Sequence, residues 1–459
     1  MGGSSLSDVK FAKLLSFIMI LLIISLIFLS SPSCAYQNAS QNDSPEETFN
    51  ERSALIDPKV IEAIRLGWDP IPVIVVFTVN SEAGCAAVKA TSPGTVVEKI
   101  YTLIPAALMK IPSNDIFKVA MLPEVRSIWL NSQFKLTSSL GAKGNRGVEV
   151  SVNLGVEQIW SEGFNGSGVV IAILGSGIDS SHPDLDDLDD DPSTNDPKVI
   201  ASVSMVDYDP FTYDFSGHGT YVAGIVAGTG NASNGTYKGV APGALLMNVK
   251  VFDVEGISLY SWILSGVEWS VSHGADIILV PISVPGLPDD PLCLAVEAAI
   301  RMGVVVITSA GDGGPAYISI GSPGSALGAI TVGAYNHSSG RTCTFSGRGP
   351  SLYMWTKPDI VAPGYNIVSC RAHPPDLGFN ISIPQFKDGY GTPIDENYTV
   401  ASTTAAAAAY VAGLAALLLQ SSMYASPESV KIALIKTAVD LYESPNIQGA
   451  GLVNPYSAY

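Results

Sequence analysis

Basic residues are scarce: 24 Lys and Arg stand against 42 Asp and Glu, for a formal charge of -18. A nucleic-acid binder needs positive patches, so that class is set aside, and the acid excess serves solubility without dictating a fold. Cysteine is scarcer still. Cys34, Cys85, Cys293, Cys343 and Cys370 contain no C-x-x-C pair and the histidines do not cluster, which argues against zinc. In an oxidising setting a disulfide would join Cys343 to Cys370; the other reading is buried free thiols. Charged residues make up only 14% against 47% hydrophobic ones, the balance of a compact globular protein. After residue 35 no stretch reads as a membrane span.

What is present begins with an export segment at 1–35. Lys10 and Lys13 precede the apolar run Leu14 to Leu29, and Ser33-Cys34-Ala35 offers small residues for cleavage. It reads either as a signal that is removed or as a retained anchor giving N-terminal membrane association. Eight N-x-S/T sequons, from Asn38 to Asn397, fit an extracellular or cell-surface location. A polar tether at 36–57 follows. Over 58–136 the order β-α-β-β-α-β is expected, with Val73 to Phe77 a buried strand, helices at Ser81 to Ala90 and Ser113 to Met121, and a last strand at Val125 to Leu130: a small ferredoxin-like α+β module. Residues 137–152 read as a Gly/Ser-rich linker.

From 153 to 459 short apolar runs such as Val169 to Leu174, Leu245 to Phe252, Ala275 to Val280 and Val304 to Ser309 alternate with helical stretches. That alternation predicts a parallel sheet with helices on both faces. Ser426-Pro427 opens a last long helix, expected to reach Leu441.

Separate blocks then carry a family signature. Gly175-Ser176-Gly177-Ile178-Asp179 runs on to His182-Pro183-Asp184-Leu185; Gly217-His218-Gly219-Thr220 opens a second block; Ser309-Ala310-Gly311-Asp312-Gly313-Gly314-Pro315 and Lys357-Pro358-Asp359 through Pro363-Gly364 follow. Thr403-Thr404-Ala405 through Val411-Ala412-Gly413 closes the set. In this order they resemble the subtilisin-like serine proteases (subtilases, peptidase S8). The resemblance implies a three-layer αβα domain with a parallel sheet, preceded by a propeptide-like module that assists folding and inhibits the cleft.

Residue by residue, the resemblance also implies a loss of chemistry. The family's nucleophile motif reads G-T-S-M-A-x-P-H-V-A-G, and its serine falls on Ala405. The catalytic aspartate of its D-[ST]-G motif falls on Gly175, and Asp179 would need a rebuilt loop to stand in. His218 is retained. The asparagine that donates to the oxyanion falls on Asp312, whose ionised carboxylate only accepts. The substrate-binding strand ends in Pro281-Ile282-Ser283 where a glycine is usual; Pro281 has no N–H and Ser283 adds a side chain. Hydrolysis by this fold requires an activated hydroxyl, its histidine and carboxylate, and donors aimed at the oxyanion. Ser402, Thr403 and Thr404 carry hydroxyls, but their simpler role is to cap the helix that follows.

Asp184, Asp186, Asp187, Asp189 and Asp190 form an acidic loop whose oxygens suit calcium, or else a solvated turn. The reading reached is an exported protease homologue without catalysis that binds a peptide or protein partner, or its own propeptide-like module, in the cleft. The alternatives are an active serine endopeptidase with rebuilt residues and a structural cell-surface glycoprotein.

Overall fold

The computed structural model describes residues 54–136, 155–190, 193–194, 196–373, 390–421 and 426–459. The export segment, most of the tether, the linker, Asp191 and the sequons at Asn38, Asn42 and Asn380 lie outside the described residues.

Asp57 accepts a hydrogen bond from Lys59 N–H and caps the helix Pro58–Arg65, which has proline in its first turn. The strands β1 (Leu55–Ile56), β2 (Ile71–Phe77), β3 (Val96–Ile100), β4 (Ala106–Ile111) and β5 (Val125–Leu130) form one sheet in the order β1-β5-β2-β4-β3. Without the two-residue β1, the order and the antiparallel pairings are those of a ferredoxin-like sheet. Every residue of β2 except Pro72 is buried, for a reason the alternation of a strand makes plain. Val73, Val75 and Phe77 face the helices of their own module, while Ile74 and Val76 pack into a core shared with the larger domain. Ser113 does not cap the following helix: it sits in a 3-10 turn, and the α-helix begins at Ile116.

A short strand, β6 (Gln133–Lys135), leaves the module. The larger sheet then assembles from β7 (Val170–Gly175), β8 (Val199–Ser204), β9 (Leu245–Lys250), β11 (Ile277–Val280), β12 (Val305–Ser309), β13 (Ile330–Asn336) and β15 (Ile360–Pro363), all parallel, with β14 (Arg341–Thr342) antiparallel at one edge. Between them, β10 (Ile257–Leu259) stands apart and pairs only with β6. Ile171, Ile173, Ile277 and Leu279 face one layer of helices, α1 (His218–Ala227) and α4 (Thr404–Ser421). Ala172, Leu174, Ile278 and Val280 face the other layer, α2 (Tyr260–Ser272) and α3 (Pro291–Arg301). Burial on both faces explains why these strands read as unbroken apolar runs rather than alternating ones.

The helix α4 is long and apolar enough to cross a membrane, the one such helix among the described residues. It is nevertheless the core helix of this layer, buried from Thr404 to Leu418. The last long helix, Pro427–Thr437, stops short of the expected Leu441. Cys343 and Cys370 form no disulfide; both are buried free thiols, and Cys370 Sγ lies 3.6 Å from Asp184 Oδ2.

Buried charge in the second layer has a measurable consequence. Asp290 caps α3, accepting from Cys293 N–H and Ser322 Oγ at 2.9 Å each, and full burial pushes its pKa up to about 6. A carboxyl raised from 3.8 favours folding when protonated, so its contribution is complete below about pH 4 and lost as pH rises through 6. Relative to Asp290→Asn, which keeps the capping oxygen without the charge, the wild type is expected to lose about 3 kcal/mol between pH 4 and 8. Urea midpoints of both chains across that range measure it, and parallel curves would refute it.

Candidate functional site

Five loci distant in sequence meet at one cleft. A cavity of about 250 Å³ is lined by His218, Asp312, Ala405, Thr403, Pro281 and Ser283, among others. Gly175 ends β7, whose neighbours β9 and β11 hold it in register. A Cβ placed on Gly175 would lie 4.0 Å from His218 Nδ1 and 3.2 Å from Gly219 Cα. So the aspartate expected from the motif would point at the histidine, and here there is no side chain to do so.

His218 opens α1 after Gly217, whose φ of 81° is the left-handed conformation that glycine tolerates. Its ring is buried, and Nδ1 has no hydrogen-bond partner. Burial alone pulls its pKa down to about 4, so the imidazole is neutral at pH 7. Among the described residues, the two acids nearest in the motif blocks are both engaged elsewhere. Asp214 accepts from Ser176 Oγ, from the N–H groups of Ser216, Gly217 and Thr220, and from Thr220 Oγ. Asp179 turns to His373, 3.2 Å from its Nδ1, and accepts its backbone N–H.

The oxyanion side is closed as well. Asp312 accepts Thr403 Oγ–H at 2.8 Å on Oδ2, and Thr404 N–H at 2.9 Å and Thr404 Oγ–H at 2.8 Å on Oδ1. It caps α4 from a distant segment, placing its negative charge at the positive end of the helix dipole. Burial raises its pKa above the usual carboxylate value, outweighing the pull of these donors. The backbone N–H of Ala405, which would face an oxyanion, donates instead to Thr403 Oγ at 3.2 Å. Thr403 and Thr404 thus serve the helix terminus, as expected, and Thr403 also consumes a donor. Ser402 turns away, accepting Asn366 N–H.

One feature of the cleft was not legible in the sequence, and a second was expected only as the propeptide-like module without its residues. Tyr390 stands edge-on to His218, with ring centroids 5.0 Å apart, and narrows the cavity. The second is the chain's own strand. β6 pairs antiparallel with β10, Phe134 opposite Ser258, with Leu136 N–H donating to Gly256 O at 2.7 Å and Tyr260 N–H to Ser132 O at 3.0 Å. The Phe134 and Tyr260 rings pack at 5.6 Å. Phe134, Lys135 and Leu136 line the same cavity as His218 and Ala405. The signal that points to such a strand is local: an aromatic in a short polar-flanked run just before the linker. A second, open cavity of about 560 Å³ adjoins the first and shares Ser283, Gly311 and Asp312 with it.

The acidic loop divides. Asp187 and Asp189 come together with Asp196, their oxygens within 4.8 Å of one another, and one Asp196 oxygen is buried without a partner. Asp184 is drawn away: it accepts from Ala232 N–H and Tyr398 OH beside His182 and Cys370. Asp190 accepts from Thr229 Oγ. Lys198 is buried nearby, its pKa lowered to about 8 by desolvation against the pull of these acids.

Residues 166–451 match the Subtilase family, peptidase S8. Serine protease AprX of Bacillus subtilis is 34% identical over 350 residues, covering 72% of this chain and 73% of its own length. Subtilisin E of the same species is 34% identical over 316 residues, 67% of this chain and 71% of its own. The structure of fervidolysin from Fervidobacterium pennivorans, described as a keratinolytic enzyme related to subtilisin, aligns with a TM-score of 0.67 at 22% identity, covering 90% of this chain and 64% of that one. The chain therefore spans under two thirds of fervidolysin, and that likeness speaks to the fold alone. The three-layer architecture, the ordered motif blocks and these similarities agree: the chain belongs to the subtilase family and is a homologue of its serine proteases.

Proposed function

We propose that this protein is an exported subtilase without proteolytic activity, which works by holding an extended peptide strand in its cleft. The observation that carries the reading is the pairing of Gln133–Lys135 with Ile257–Leu259, over a centre made of a methyl group, an unpaired imidazole and a capping carboxylate. Such strand addition draws its affinity from backbone hydrogen bonds and its selectivity from the pockets under alternate side chains. On this reading the ligand is the chain's own propeptide-like module, 58–136, whose last strand makes that pairing. That module is further held by Glu268, whose carboxylate accepts Leu103 N–H at 2.9 Å and Thr102 Oγ–H at 2.7 Å. A partner protein with a matching strand would compete for the same wall. Export rests on the apolar segment before residue 35 and on similarity to proteins such as the minor extracellular protease Vpr of Bacillus subtilis.

The test is a competition. A fluorescent peptide spanning residues 131–137 is offered to the wild type, to Phe134→Asp, which weakens the internal strand, and to Phe134→Asp/Ser258→Pro, which also breaks β10. Phe134→Asp is expected to bind it at least tenfold tighter than the wild type, and the double variant to bind it no better than the wild type. Equal polarisation for all three folded chains would end the strand-binding reading.

Asp187, Asp189 and Asp196 are the residues that would hold a calcium ion, supplying hard oxygen ligands to stabilise the loop. Calcium is then expected to raise the thermal midpoint of the wild type and leave that of Asp187→Asn/Asp189→Asn unmoved. An identical response of both chains would remove the ion from the account.

A further inference from the structure

We infer that the cleft selects ligands that carry a positively charged nitrogen, a primary ammonium or a guanidinium, seated beside Asp312 where the two cavities meet. The inference deepens the strand-binding reading and rests on it.

Of the groups around the cleft centre, Pro281 has no N–H to offer, and the N–H of Ala405 is spent on Thr403. The hydroxyls of Thr403 and Thr404 and the N–H of Thr404 all point at Asp312. His218 is buried without a partner at Nδ1. Beside Asp312, a ligand carbonyl or carboxylate therefore meets donors that are already engaged, and the hydroxyls left to it are those of the outer wall, such as Ser283. Acceptor capacity is in surplus, because an ionised carboxylate has about four lone-pair sites and three donors reach this one. Since a backbone N–H can only donate, Asp312 Oδ1 is held as an acceptor.

Charge points the same way. Asp312 is shared by both cavities, and among their described lining residues the only Lys or Arg is Lys135. Lys135 belongs to the strand that fills the cleft, so the positive charge comes with the occupant and not with the wall. A half-buried carboxylate such as Asp312 is costly in part unless a cation or further donors compensate it. The α4 terminus supplies part of that compensation, about half a charge. The rest is open to a ligand. The second cavity has the form to guide one, with Val284, Pro285, Ile318, Ile320 and Leu352 as aliphatic wall for a side-chain stem and Asp312 for its head.

The experiment titrates the full chain with small probes by thermal shift and calorimetry. n-Hexylammonium and benzamidine are compared with the neutral isosteres hexanol and benzamide. The cations are expected to bind at least tenfold tighter than their isosteres, with an advantage that shrinks in 0.5 M salt. Asp312→Asn, which keeps an oxygen for Thr404 N–H, is expected to remove the preference. Equal binding of charged and neutral probes, no binding of either, or a preference that survives in folded Asp312→Asn overturns the inference. A peptide arm separates the sources: 131–137 peptides on the Phe134→Asp background carry lysine or norleucine at the last position, with a free or an acetylated amino terminus. A lysine-dependent gain assigns the site to a side chain, and a gain from the free amine assigns it to a terminus. Peptides that bind irrespective of charge leave strand binding intact and refute the cation site. Ammonium binding without any peptide binding does the reverse.

Discussion

Four substitutions together, Gly175→Asp, Ala405→Ser, Thr403→Gly and Asp312→Asn, are expected to turn a chain that a fluorophosphonate leaves untouched into one that it labels at residue 405. On the proposed reading, the wild type has neither the nucleophile at 405 nor the carboxylate at 175. Removal of the serine or histidine from such a triad costs about 10⁶ in turnover, and loss of the aspartate alone costs about 10⁴. A missing oxyanion donor costs a further ~10² to 10³. Ala405→Ser by itself should therefore stay close to background, because its hydroxyl would face an imidazole with nothing at Nδ1. Gly175→Asp supplies that partner, Thr403→Gly frees the 405 N–H, and Asp312→Asn replaces an acceptor with a donor. The tightest fit is at Gly175, whose new Cβ would lie 3.2 Å from Gly219 Cα, so the start of α1 must yield by a few tenths of an ångström.

Two further readouts accompany labelling. The His218 pKa should rise from about 4 once a carboxylate faces it. As His218 stands, its neutral form favours the fold above about pH 6.5, and that contribution is lost as pH falls through 4. The restored chain should also clip itself within 137–148, because β6 leads straight from the cleft into that linker. Labelling of the wild type would show that another hydroxyl has taken over the reaction. A folded quadruple variant that remains inert would mean that the motif positions were misassigned.

The second large effect concerns stability. Asp312→Ala is expected to destabilise the protein by about 3 kcal/mol, because it leaves Thr404 N–H and two hydroxyls buried without their acceptor at the start of an 18-residue core helix. Asp312→Asn retains one oxygen and should lose about 1 kcal/mol. Urea unfolding of the two variants measures the difference. An alanine variant within 0.5 kcal/mol of the wild type, a margin expected of ordinary surface substitutions, would show that Asp312 does not hold the helix.

Asp312 stands where an oxyanion donor is expected, Thr403 accepts the N–H of Ala405, and both are parts of a helix terminus. At 312 the side chain satisfies buried backbone. Reversal of the chemistry and loss of stability are thus linked at Asp312, and the quadruple variant should be less stable than the wild type even as it gains reactivity.

The period of the apolar pattern determined much on its own. Val169 to Leu174 and Val304 to Ser309 are strands because β-branched runs of that length suit a sheet buried on both faces, and β7 and β12 fall within a residue of those limits. The motif blocks determined the family, and the residue types at 175, 312 and 405 determined which groups are available there, since no fold gives a methyl group a lone pair. Tertiary structure decided what those groups do. That Asp312 reaches Thr404, 92 positions away, that Asp184 leaves the acidic loop for Tyr398, that Tyr390 covers His218 and that β6 lies against β10 are all contacts between distant segments. Composition and periodicity constrain a chain only over a few residues. The pairing of remote side chains is set by the burial and hydrogen-bond balance of the whole core.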